Sequence, residues 1–178
     1  AAEPTIYVDA HAMDLPPLAD PPLFSLVRAP FRCNETSPLV RHKALSYQEN
    51  LLALADAHCR GADEVYFLNS RGHLAEGAIT NLFFVEGGTV RTPDVECGLL
   101  PGITREIVLG ICEAKDIPRE TGCYEEAQFA GADEAFCTNS LRGIVPVRGV
   151  EGRELAAGPL TARLQRLYAD LVTAECGG

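Results

Sequence analysis

The sequence predicts an α+β (mixed α/β) fold, and three observations carry that prediction. Short apolar runs of strand length, such as Val65–Leu68 and Asn81–Val85, are punctuated by glycine-marked turns. Longer stretches carry apolar residues at helical spacing, most plainly Leu160, Leu164, Leu167, Leu171 and Val172. The two kinds of element are mixed without the regular strand–helix–strand rhythm of a purely parallel sheet. A length of 178 residues supports one domain of ordinary size with its own core, so residues 1–178 are read as a single domain.

The elements follow in chain order. Residues 14–22 hold four prolines and exclude regular helix or central strand; they read as a loop between apolar pieces at Thr5–Val8 and Leu23–Ala29. Leu45, Leu51, Leu52, Leu54 and Ala55 lie at near-helical spacing, which predicts a helix over residues 44–60, directly after Lys43. Val65–Leu68 is a short buried strand, Arg71-Gly72 a turn and Asn81–Val85 a second strand. Gly87-Gly88 makes a hairpin turn into Thr89–Arg91. Ile107, Val108 and Ile111 predict a helix over Thr104–Lys115, with Pro101-Gly102 just ahead of it. Tyr124–Ala130 is a short helix, Ala135–Thr138 and Ile144–Val147 are strands, Gly149–Gly152 is a turn, and Pro159–Glu175 is a closing amphipathic helix.

Composition narrows the function classes. Apolar residues make up 47% and charged residues 22%, as in an ordinary soluble globular protein. The formal net charge of −10 comes with no basic stripe to neutralise phosphates, which argues against a nucleic-acid partner. A small anionic substrate stays open, because the local field in a cleft can oppose the net charge. Seven cysteines, an odd number with no CxxC spacing, point to free thiols rather than a disulfide framework or a zinc site. No apolar run reaches the roughly 20 residues of a membrane span, and residues 1–20 show no basic region of a signal peptide. The first residue is Ala1 rather than Met, which is read as processing or as a fragment.

Several segments can carry chemistry. The chain uses arginine thirteen times and lysine twice, and Lys43 lies in Ser37-Pro38-Leu39-Val40-Arg41-His42-Lys43-Ala44-Leu45-Ser46-Tyr47. A lysine amine can condense with an aldehyde and, once freed, move a proton; most lysines are merely solvated. Leu74-Ala75-Glu76-Gly77 follows, then Thr80-Asn81-Leu82-Phe83. Glu76 is a lone carboxylate, or a surface glutamate in a turn. Gly102-Ile103-Thr104 opens a predicted helix, whose free N–H groups and dipole make an anion site; Thr104 adds a hydroxyl or serves as the N-cap. Asn139 and Ser140 end a strand, where small polar residues usually form turns. Arg105, Arg142 and Arg148 can pair with substrate carboxylates. His42 and His58 read as solvated or capping. No Gly-x-Ser-x-Gly elbow frames a serine, which sets a hydrolase aside.

In order and wording these segments resemble the fold-type IV pyridoxal phosphate enzymes, the class-IV aminotransferase family. That family includes the branched-chain and D-amino-acid aminotransferases and 4-amino-4-deoxychorismate lyase. The resemblance runs over residues 23–172. It implies the large C-terminal, cofactor-binding domain of the D-amino-acid aminotransferase-like fold, without the smaller N-terminal domain that supplies an arginine to the phosphate and much of the substrate pocket. It implies pyridoxal 5'-phosphate as cofactor and Lys43 as the catalytic lysine bound to it. Glu76 falls to the pyridine nitrogen, Ile103 and Thr104 to the phosphate, Ser140 with Asn139 beside it to a second phosphate contact, and Tyr47 to the phenolic oxygen. Asn81 is a support for its loop. The run Thr138–Val147 looks more like the lyase wording, where branched-chain transaminases more often show a Gly-Thr-Ala sequence. The expectation is therefore an aminodeoxychorismate lyase of folate biosynthesis that releases pyruvate and 4-aminobenzoate. The alternative is a branched-chain or D-amino-acid aminotransferase; a third reading, from the missing small domain, is a non-catalytic chain that keeps the fold. The free thiols point to a reducing cytoplasm, and the resemblance implies a homodimer, acting on a small molecule and partnered by a separate or cleaved small-domain segment.

Overall fold

The computed structural model describes residues 5–14, 16–18 and 20–176. Its elements are β1 (Phe24–Arg28), α1 (Gln48–Cys59), β2 (Glu64–Tyr66), β3 (Asn81–Glu86), β4 (Thr89–Pro93), α2 (Ile103–Ala114), β5 (Arg119–Gly122), α3 (Glu126–Ala130), β6 (Glu134–Asn139), β7 (Gly143–Val150), β8 (Arg153–Glu154) and α4 (Pro159–Cys176). Short 3-10 turns lie at Pro38–Arg41 and Val95–Cys97. One mixed sheet takes the strands in the order β2-β1-β7-β6-β3-β4-β5, with β8 on β7. β1 runs parallel to both β2 and β7, and β4 parallel to β5; the remaining pairs are antiparallel. The mixed α/β class expected from the sequence is the observed one.

Strand β3 shows why the centre of the sheet reads as a continuous apolar run. Phe83 and Val85 point into a cluster with Val108, Ile111 and Leu164, from α2 and α4. Leu82 and Phe84 point the other way, into a cluster with Tyr66, Tyr124 and Phe129. With both faces covered, a strand has no polar side to alternate with. Phe83 sits directly opposite Phe136 of β6, and their rings stack at 4.8 Å. The Gly87-Gly88 hairpin is as expected: both glycines have positive φ, which the tight turn between twisted strands requires.

Three expectations are corrected, and one strand lies where none was expected. Helix α1 starts at Gln48 rather than at residue 44, and it buries Ala53 and Ala57, not the leucines. Small side chains four residues apart let the helix lie close against Val65 and Phe67, leaving Leu51 and Leu52 exposed. Strand β5 carries no apolar signal because three of its four residues are exposed, and it forms by parallel pairing with β4. Gly149 and Val150 extend β7, so the turn is confined to Glu151 and Gly152, both at positive φ. In the Val65–Leu68 run the regular strand stops at Tyr66.

Helix α4 starts at Pro159, and the carboxylate of buried Glu134 accepts from the N–H groups of Leu160 and Thr161 at 3.1 and 2.7 Å. Pro159 lacks an N–H and needs no such partner. Residues 14–22 form no helix or strand where they are described, and Leu18 packs beside α4's cluster. Among the described residues no helix is long and apolar enough to cross a membrane.

Candidate active site

The antiparallel register of β3 and β6 sets Asn81 opposite Thr138, so the start of one strand and the end of the other form a common rim. The connection from β4 to α2 crosses this rim. There the Leu100 N–H donates to Glu76 Oε2 at 3.0 Å, and the Leu100 carbonyl accepts from Asn81 Nδ2 at 2.8 Å. The second proton of the same amide reaches Glu76 Oε2 at 3.3 Å. A cavity of about 460 Å³ opens over this arrangement. Lys43, Tyr47, Glu76, Ile103, Thr104, Asn139 and Ser140, from four separate stretches of sequence, all line it.

Lys43 is exposed, in the bend between the Pro38–Arg41 turn and α1, with its Nζ 5.1 Å from the centre of the Tyr47 ring. The Tyr47 hydroxyl donates to the Ala78 carbonyl at 2.6 Å, and Asn50 Nδ2 joins it there at 2.9 Å. Burial, and then the Glu76 and Glu64 carboxylates, push the Tyr47 phenol up to about 12. Glu76 is pushed up to about 8, chiefly by burial and also by Glu64; the Leu100 N–H and Lys43 pull the other way. The neighbourhood thus holds a carboxylate short of positive charge.

Gly102 is the N-cap of α2 and caps with no side chain, so the first helical N–H groups lack a protein cap. Thr104, expected as a possible N-cap, is instead the second helical residue and is buried; Ile103 is largely exposed. A Cβ on Gly102 would overlap Asn81 Oδ1, so only glycine lets the helix start approach the rim this closely. Thr138 Oγ1 is buried on the cavity wall with no hydrogen-bond partner among the described residues. Asn139 builds the adjoining turn: its Oδ1 accepts from the N–H groups of Leu141 and Arg142 at 3.1 and 2.9 Å. Its Nδ2 contacts the Ile79 carbonyl at 3.4 Å.

The arginines are not brought to this cavity. Arg105 is buried and donates to the Pro93 carbonyl at 2.9 Å, its guanidinium held below its ordinary value by burial. Arg142 lies 5.6 Å over the Phe24 ring, and Arg148 pairs with Asp63. His42 lines a neighbouring cavity of about 340 Å³ that shares Tyr47, Glu76 and Leu100 with the first.

Two contributors escaped the sequence reading. Thr138 was legible only as the residue before Asn139. Glu64 reads as a surface acid after Ala62-Asp63, yet it is fully buried. Its Oε1 accepts from Val65 N and Ala78 N, and its Oε2 from Ile79 N and the Thr80 hydroxyl, at 2.9 to 3.2 Å. It thereby holds the Gly77–Thr80 loop, whose Ala78 and Ile79 carbonyls receive Tyr47, Asn50 and Asn139. No local sequence signal marks it, because three of its four partners lie 14 to 16 residues downstream.

Known proteins resemble this chain along most of its length. The family model for amino-transferase class IV matches residues 1–150. A branched-chain-amino-acid aminotransferase from Pseudomonas aeruginosa is 35% identical over 133 residues, which is 73% of this chain and 43% of that protein. An aminodeoxychorismate lyase from Bacillus subtilis is 36% identical over 141 residues, 77% of this chain and 47% of that protein. Among solved structures, the PLP form of a branched-chain amino acid aminotransferase from Thermobaculum terrenum matches with a TM-score of 0.85 at 31% identity, covering 90% of this chain and 54% of that one. The chain spans about half the length of the curated relatives it matches. With its first 150 residues inside the family match and the same fold in the solved relatives, the chain belongs to the class IV aminotransferase family.

Proposed function

We propose that this chain builds a pyridoxal phosphate site and serves transamination of an amino acid with a branched apolar side chain. The observation that carries the reading is the single cavity holding a lysine, a carboxylate short of positive charge, and an uncapped helix start. The wording of Thr138–Val147 leans toward the lyase, but the relatives favour the aminotransferase. Those from Pseudomonas aeruginosa, Salmonella typhimurium and Escherichia coli all carry that name, while the Bacillus subtilis relative and a solved structure from Legionella pneumophila carry the lyase name. The lyase stays as the second reading on the strength of the Bacillus subtilis relative.

The residues fit the cofactor. A protonated pyridine nitrogen would supply the positive charge that Glu76 lacks. The uncapped N–H groups of Ile103 and Thr104, with the partnerless Thr138 hydroxyl and exposed Ser140, suit a phosphate. When bound, the cofactor supplies an aldehyde for the lysine and an electron sink for a carbanion. The Lys43 amine holds and returns the proton exchanged at the substrate α-carbon. Glu76, kept in place by Leu100 and Asn81, is the carboxylate that would hold the ring nitrogen. Tyr47, which lines the cavity, commits its proton to Ala78, so toward a ligand its oxygen can only accept. A homodimer belongs to the same proposal: exposed Leu45, Leu51 and Leu52 supply apolar surface close to Lys43 in the chain that a second copy would cover.

The test separates attachment from turnover. The purified chain is incubated with pyridoxal phosphate, reduced with borohydride and mapped by mass spectrometry. An adduct on Lys43, lost in Lys43→Ala, is expected; an adduct confined to Lys115, or none, rejects the site. Leucine and a keto acid then report amino exchange, whereas release of 4-aminobenzoate and pyruvate from aminodeoxychorismate would select the lyase.

A further inference from the structure

The 3-10 turn Val95–Cys97 folds back over the end of β5. Pro93 pairs with Gly122 in the sheet, and the Asp94 N–H donates to the Gly122 carbonyl at 2.9 Å. The Asp94 carboxylate caps the turn through Glu96 N, and Gly98 at φ 88° ends it. This geometry sets Cys97 Sγ 3.4 Å from Cys123 Sγ. It is the one sulfur pair in contact among the described residues, although all seven cysteines are free thiols. The two are unlike: Cys97 is fully buried, and Cys123 is exposed.

We propose that Cys97 and Cys123 form a redox-active dithiol, which a small hydroperoxide oxidises to an intramolecular disulfide and a small thiol restores. Exposed Cys123 is the sulfur an oxidant can reach, and buried Cys97 is placed to resolve it. In the first step the Cys123 thiolate attacks one peroxide oxygen. The S–O bond forms, the O–O bond breaks, and the departing hydroxide takes a proton to become water. In the second step the Cys97 sulfur attacks the Cys123 sulfenic sulfur. The S–S bond forms, the S–O bond breaks, and the Cys97 proton leaves with the hydroxide as a second water. Two thiols thus lose two electrons and reduce one peroxide. Reduction reverses the change, with two small thiols leaving as their own disulfide. Burial and the adjacent Cys123 sulfur push the Cys97 thiol up to about 12, in keeping with a thiol that reacts second rather than first.

The dithiol takes no part in the proposed cofactor chemistry, but it shares the frame that holds Glu76. The bond would span 26 residues and tie α2 and β5 into one loop. Asn69 Nδ2 holds the Cys97 carbonyl at 3.1 Å, and three residues further on Leu100 reaches Glu76. Closing the sulfurs from 3.4 Å to the roughly 2.05 Å of a disulfide is a movement the connection from β4 to α2 must absorb.

The experiment uses the reduced 178-residue chain, dilute, with one equivalent of hydrogen peroxide, followed by alkylation, intact mass and peptide mapping. A loss of about 2 Da is expected. Five of the seven thiols should alkylate, with the link assigned to Cys97 and Cys123. Cys97→Ser should stop at a Cys123 sulfenic acid that dimedone captures, and Cys123→Ser should leave Cys97 a free thiol. Cys123 oxidised to sulfinic acid without a cross-link in the unaltered chain, or a link through Cys33, Cys59 or Cys176 instead, would overturn the proposal.

Discussion

Gly102 and Asn81 interlock at the candidate site: a Cβ on the glycine would overlap the Oδ1 of the asparagine. Asn81 in turn holds both the Leu100 carbonyl and Glu76 through its Nδ2. Gly102→Ala therefore has to push Asn81 off these partners or move the start of α2. Overpacking of this kind costs about 1–3 kcal/mol. The loss of alignment should weaken pyridoxal phosphate attachment roughly tenfold or more, about 1.4 kcal/mol. Urea unfolding and a cofactor titration monitored by absorbance check the two effects, and unchanged affinity would detach the glycine from anion binding.

Glu76 predicts a pH dependence of the cofactor-free chain. Its carboxyl titrates at about 8 when folded, against an ordinary value of 4.5, because burial disfavours its charge. Below 4.5 both folded and unfolded forms hold the proton, and its stabilising contribution is complete. Between the two values the folded state keeps a proton that the unfolded state has released, so stability falls as pH rises, at up to about 1.4 kcal/mol per pH unit. The loss is complete above about 8. Glu76→Gln should flatten much of this slope, leaving the part due to Glu64, which burial also pushes up. Urea unfolding across this window, on both proteins, is the measurement; equal slopes would remove Glu76 as the source.

Glu64→Ala should be among the most damaging single changes. It leaves the buried N–H groups of Val65 and Ala78, the Ile79 N–H and the Thr80 hydroxyl without their acceptor. Each unsatisfied group costs about 1–3 kcal/mol, so a loss of more than about 3 kcal/mol is expected even after relaxation. Glu64→Gln keeps one acceptor oxygen and should lose less. Chemical denaturation ranks the three proteins, and a mild Glu64→Ala would show that the Gly77–Thr80 loop is held by other means.

Glu134 and Gly158 should behave as a coupled pair. Glu134 caps α4, and a Cβ at Gly158 would overlap its side chain. Glu134→Ala alone is expected to cost about 1–2 kcal/mol. Gly158→Ala should be harmful in the presence of Glu134 and milder in the Glu134→Ala background, which a double-mutant cycle on melting temperatures reads directly. Additive effects would mean the two residues do not share one space.

Much of the fold was legible in the residues alone. The buried strands β3 and β6, the Gly87-Gly88 hairpin and the helices α2 and α4 followed from apolar runs, periodicity and turn residues, which act over a few neighbours along the chain. The segments around Lys43, Glu76, Gly102 and Asn139 were each ambiguous alone, and only their order, through the family resemblance, marked them as a site. That all of them line one cavity was not legible, since spacing along a chain says nothing of distance across a sheet.

What tertiary structure alone decided involves partners far apart in sequence. Strand β5 exists because β4 offers an edge to pair with, not because Arg119–Gly122 favours extension. The fully buried positions of α1 are Ala53 and Ala57, with Leu54 packed beside them, because these are the residues that the fold turns toward Val65 and Phe67. Arg105 is held by Pro93 and turned from any substrate role by its burial. Glu64 and the Cys97–Cys123 contact are the clearest cases: an acid and two thiols with unremarkable neighbours acquire their roles from groups brought over them by folding. Hydrogen bonding and close packing depend on distance in space, and only the folded chain sets that distance.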